Sequence, residues 1–134
     1  MRDGLIAYFT ALLIMAAMDF CWFKLTADPV YHRILGAILA EKVNYSAAVT
    51  FYLLYPLGVL IFAVGPALDN GDWFTGLVRG ALFGFFVYAT YDLTNLASLK
   101  LWSLKVSMID VAWGVFVTGT VSGASAAITL ALEK

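Results

Sequence analysis

Four apolar stretches, each close to the roughly 20 residues an α-helix needs to cross a hydrocarbon layer, dominate this chain. They run over about 4–23, 47–68, 73–96 and 106–132. Packing all four into a water-soluble core fails on size. The chain has 134 residues, 63% hydrophobic and 13% charged, and a mean hydropathy of +0.89. So short a chain has too little interior to hide that much apolar surface, and lipid must cover the excess. No stretch alternates polar and apolar residues as a membrane barrel does, so the spans are helical. The expected fold is all-α: one domain, an integral membrane bundle of four transmembrane helices.

Arg2 and the apolar run after it loosely fit a secretory leader. The run is long, however, and Ala16-Ala17-Met18 is a poor cleavage site, so the first span is expected to be retained. Between spans one and two, Asp28-Pro29 reads as a helix start, with Asp28 as N-cap and Pro29 at the first helical position. Val30, Ile34, Ala37 and Ile38 then recur at helical spacing, while His32, Arg33 and Glu41 take another face. The pattern predicts a short interfacial amphipathic helix ending near Asn44. Asp69-Asn70-Gly71-Asp72 predicts a tight turn between spans two and three, and Pro56 a kink within span two.

Charge sets the expected orientation. Lys24, Arg33, Lys42, Lys100 and Lys105 fall in loops one and three, against Arg2, Arg79 and Lys134 on the other side. Loops one and three are therefore expected in the cytoplasm and both termini outside. A net charge of −1 offers no basic surface to nucleic acid. Cys21 is the single cysteine, which excludes an internal disulfide; in its apolar run it reads as a packing residue.

Charged residues within membrane spans are costly and point to function. Here they are Asp19, Asp92 and Asp110. Asp19 precedes Lys24 by five residues, Asp110 follows Lys105 by five, and Asp92 precedes Lys100 by eight. At ~1.5 Å per residue, all three fall roughly 7–12 Å below one membrane surface, the side that loops one and three share. Asn95 and Tyr88 stand at i+3 and i−4 from Asp92, on its face, and Trp22 and Trp113 stand at i+3 from Asp19 and Asp110. Asn44 and Tyr45 open span two at the same level, and His32 hangs above. The candidate site is a polar pocket of Asp19, Asp92, Asn95 and Asp110 ringed by Trp22, Trp113 and Tyr88.

The plainer alternative is that Asp19 and Asp110 pair with Lys24 and Lys105 as those lysines snorkel to the surface. The aromatics would then be an ordinary interfacial belt. Gly76, Gly80, Gly84, Tyr88 and Asp92 follow one another at intervals of four, a small-residue ridge suited to close helix packing. Gly119 and Gly123, with Gly114, Thr118 and Ser122, repeat the device in span four, which predicts Asp92 near Asp110. Arg79 lies thirteen residues from Asp92, too far to pair, and is expected to reach outward toward Asp69, Asp72 or Glu133. His32 reads as an exposed interfacial histidine. Asp-x-x-Trp occurs at Asp19 and again at Asp110, in spans running oppositely, and is treated as coincidence. No phosphate loop, nucleophile elbow, metalloprotease or paired-cysteine motif is present, so no cofactor or metal is expected.

Tyr91-Asp92-Leu93-Thr94-Asn95-Leu96-Ala97, then Ile109-Asp110-Val111-Ala112-Trp113-Gly114, together with Asp19 to Trp22, resemble a family of small bacterial predicted membrane proteins classed as a domain of unknown function. The resemblance covers nearly the whole chain. It implies a four-helix protein of the bacterial inner membrane, singles out Asp92, Asn95, Asp110 and Trp113, and supplies no activity. Three functions stay open. One is an intramembrane carboxylate pocket for a cation, proton or lipid-like ligand, with a transport or lipid-related role. The second is an accessory subunit of a larger membrane complex or homo-oligomer. The third is a membrane enzyme with Asp92 and Asp110 as acid and base.

Overall fold

A computed structural model describes residues 1–134. The chain is helical throughout, with no strand. Four long helices follow in order: α1 (Arg2–Thr26), α2 (Tyr45–Val59), α3 (Trp73–Ser98) and α4 (Leu104–Leu132). α1 is prolonged by a π-helical turn, Ala27–His32, and by Arg33–Leu35; α2 is prolonged by a π-helical turn, Leu60–Val64, and by Gly65–Asn70. With these extensions, Arg2–Leu35, Tyr45–Asn70 and Leu104–Leu132 are long and apolar enough to cross a membrane. At 26 residues α3 is also long enough, but Arg79, Thr90, Asp92, Thr94 and Asn95 make it more polar. The exposed residues of the bundle are apolar, among them Leu5, Phe9, Leu13, Leu54, Ile61, Phe86 and Phe116. This is the inside-out dressing of a helical membrane bundle.

Small residues fill the interior. Ala7, Ala11 and Met15 form a buried stripe on α1, four apart, that leads to Asp19. Val59, Val64 and Ala67 of the second span and Val117, Val121 and Ala126 of α4 pack against it. Hydroxyls add ties where no water is at hand: Ser125 donates to the Ala7 carbonyl at 2.8 Å, and the Tyr55 and Thr118 hydroxyls share a bond of 2.8 Å.

α3 and α4 make the most extensive helix pairing. Gly76, Gly80 and Gly84 are all buried in it. A Cβ on Gly80 meets the Thr118 carbonyl at 2.6 Å, and one on Gly84 meets the Thr118 hydroxyl at 2.7 Å. From the other side, Gly114 lies under the Tyr88 ring, and Gly119 and Gly123 face Ala81 and Leu77. The ridges expected from the spacing are a packing seam.

The helix ends follow their capping chemistry. Asn44 accepts from the Ala47 N–H at 3.1 Å, Ser103 accepts from Val106, and Asp72 accepts from Phe74 and Thr75. Gly71, at φ +66°, closes the turn before α3 in the left-handed conformation that glycine adopts without strain.

Two expectations need correction. Asp28 is not an N-cap. The helix does not stop there: Pro29 lacks an N–H, and the ladder widens to a π turn and runs on. The Asp28 carboxylate instead meets His32 Nδ1 at 2.7 Å. The short helix between the first two spans is thus joined to α1, and it ends at Leu35 rather than near Asn44. In α2, the helix passes through Pro56 and becomes irregular a turn later, where the Gly65 N–H bonds to the Leu60 carbonyl just before Pro66.

The seam gives a stability test. Gly84→Ala is expected to cost about 1–3 kcal/mol by overpacking against α4. Gly4→Ala, with nothing within 4 Å, is expected to be neutral or mildly stabilising. Thermal unfolding of both variants in one detergent checks the difference.

Candidate intramembrane carboxylate site

The buried stripe of α1 ends at Asp19, whose side chain is 5% exposed. Its carboxylate accepts from the Tyr52 hydroxyl of α2 at 2.9 Å and from Trp113 Nε1 of α4 at 3.2 Å. Asp19 is therefore tied across three helices. It does not pair with Lys24, whose ammonium sits 5.3 Å over the Phe20 ring. Arg2 pairs with Asp3, and Asp28 hydrogen-bonds His32, both at exposed positions. Neither Asp110 with Lys105 nor Arg79 with an acid forms an ion pair.

Trp22 and Trp113 stack with centroids 4.4 Å apart and planes 5° from parallel. Trp22 Nε1 donates to the Tyr31 hydroxyl at 3.4 Å, and that hydroxyl donates to Asp110 at 2.9 Å. Tyr31 belongs to the π turn after α1, so the widened turn swings it back over α4.

Asp92 is fully buried where α3 meets α4. Neither of its carboxyl oxygens has a hydrogen-bond donor. The group it faces is the carboxyl of Asp110, and an ionised carboxylate has no hydrogen to give. Two such groups in contact are completed only by something positive between them, a proton or a cation. No three His, Cys, Asp or Glu side chains cluster tightly enough to hold a metal ion. Beside this pair, Ser107 donates to the Asp92 backbone carbonyl at 3.5 Å and accepts from Trp102 Nε1 at 2.9 Å.

Two cavities flank the acids. One, of about 890 Å³, lies under the segment after α1 and is lined by Leu35, Ile38, Asn95, Trp102 and Asp110. The other, of about 810 Å³, lies between the helices and is lined by Asp19, Trp22, Tyr52, Tyr88, Asp110 and Trp113. Tyr31 and Asp110 line both, so their hydrogen bond stands in the shared wall.

Of the residues singled out by spacing, five line the second cavity: Asp19, Trp22, Tyr88, Asp110 and Trp113. Asn95 lines the first, and Asp92 sits buried against Asp110. His32 stands apart with Asp28, and Tyr45 is exposed. Tyr31 and Tyr52 were not foreseen. A tyrosine well inside an apolar helix needs a partner for its hydroxyl, which was a signal for Tyr52. Tyr31 carried none, because its position depends on the π turn.

A family model for predicted membrane proteins, DUF2177, matches residues 4–127. The chain belongs to this family. No curated protein and no solved structure matches it. The DUF2177 match spans every residue of the candidate site, from Asp19 to Trp113.

The hydrogen bonds of this DUF2177 protein make a local prediction. Tyr52→Phe removes a donor from a buried carboxylate and is expected to cost about 1–3 kcal/mol. Tyr45→Phe, at a side chain 76% exposed, is expected to cost nothing measurable. Circular-dichroism melting of the two variants separates them.

Proposed function

We propose that this DUF2177 protein binds a ligand within the membrane, using the carboxyls of Asp19, Asp92 and Asp110 near one face to receive a cation, a proton or the polar end of a lipid-like molecule. The observation that carries the reading is the Asp92 carboxyl, fully buried and set against a second acid, so that only a shared proton or another cation joins the two. A group so costly to bury in lipid is poor scaffolding, because an apolar residue of similar size packs as well at lower cost. The adjoining cavities supply volume of the order that ligand sites use, about 300–1,000 Å³.

Binding is favoured over conduction. Beyond Asp92, toward the far face, the α3–α4 seam is filled by glycine backbone against Thr118 and Ser122, which leaves no polar route between those helices. Contact between Asp92 and Asp110 also suits an enzyme using them as acid and base, and that reading too begins with a bound substrate. The reading sets the protein in a bacterial inner membrane, with loops one and three in the cytoplasm and the termini outside. Five basic residues against three support that orientation. Homo-oligomers or a larger complex are compatible with it.

Native mass spectrometry of protein gently extracted from its own membrane tests the reading. A defined small molecule or lipid is expected on the wild type and lost in Asp92→Asn. A complex with other proteins, carrying no such molecule and unchanged by the substitution, makes the chain an accessory subunit instead.

A further inference from the structure

The cavity between the helices has a lining of one kind. Trp22, Tyr31, Phe51, Tyr52, Tyr88 and Trp113 supply aromatic rings, and Asp19 and Asp110 supply carboxylates. No lysine, arginine or histidine lines it. The carboxylates are oriented by neutral donors alone, Tyr52 and Trp113 for Asp19 and Tyr31 for Asp110. Behind Asp110, outside the lining, lies the carboxyl of Asp92. The lining thus offers carboxyls with no basic side chain to pair with them.

We infer that this cavity is a site for a lipophilic organic cation, an alkylammonium-type ligand with an apolar body. The inference rests on the ligand-binding reading above and names its ligand class. An anion is excluded by charge. A small metal cation requires six or more oxygen ligands or a compact donor cluster, and the lining offers neither. A proton alone makes no use of the aromatic lining. An organic cation uses every part: its diffuse charge is weakly hydrated, aromatic faces attract it, and a carboxylate neutralises it. Its apolar body fills the remaining volume and reaches toward the lipid.

A pair of probes with nearly the same size and shape but opposite charge tests this: tetraphenylphosphonium and tetraphenylborate, titrated calorimetrically into the wild-type protein in phosphatidylcholine nanodiscs. Saturable binding of the phosphonium in excess of empty nanodiscs is expected, with no such excess for the borate, which lipid alone takes up. At least tenfold weaker binding is expected in Asp19→Asn and Asp110→Asn. The wild-type comparison stands even if a variant fails to fold. Protein-dependent binding of the borate, above that of empty nanodiscs, equal to or tighter than that of the phosphonium overturns the inference, as does phosphonium uptake no greater than that of empty nanodiscs. If the phosphonium fails while native mass spectrometry still finds a molecule dependent on Asp92, the cation class falls and the ligand-binding reading survives. If both fail, both fall.

Discussion

The close approach of α3 and α4 is the constraint on which the rest of the molecule depends. Lipid gives two helices no hydrophobic reason to associate, so they must gain from tight van der Waals contact. Gly76, Gly80 and Gly84 permit that contact by presenting backbone where another residue would present a side chain. The register they set has a chemical consequence, because it leaves the carboxyl of Asp92 against that of Asp110. α1 and α2 complete the arrangement from the other side, through Asp19, Tyr52 and the stacked pair of Trp22 and Trp113.

The acids then form a connected layer rather than isolated residues. Asp19 joins α1, α2 and α4, and Asp110 joins α4 to the π turn after α1. Only neutral groups donate to them. A protein selecting for stability alone has a simple way to relieve this, a lysine or arginine within reach, and the nearby lysines do not pair. Carboxyls without a basic partner beside a roomy cavity are the feature on which the proposed binding role rests.

Much of this was legible in the sequence because depth and helical phase are simple functions of residue number. Counting from Lys24, Lys100 and Lys105 placed Asp19, Asp92 and Asp110 toward one face. Intervals of four through Gly76, Gly80 and Gly84 named the seam. What was not legible depended on competition between partners or on local backbone irregularity. Asp19 takes Tyr52 of α2 and Trp113 of α4 rather than Lys24, a choice among partners on other helices that no spacing rule states. Asp28-Pro29 had every mark of a helix start, yet the chain absorbed the missing N–H in a π turn, and that turn delivered Tyr31 to Asp110. The same accommodation gives the second span a π turn at Leu60–Val64, just before Pro66.

The central claim is that Asp92 is held at a cost to the fold for the sake of a ligand, and the melting temperature of ligand-free Asp92→Asn against wild type tests it most directly. Asparagine keeps the shape, removes the charge and can donate to Asp110. The account predicts a variant at least as stable as wild type, with an increase being the clearer result. A loss of about 1–3 kcal/mol, the size expected for breaking a satisfied buried interaction, contradicts it and makes Asp92 a structural residue.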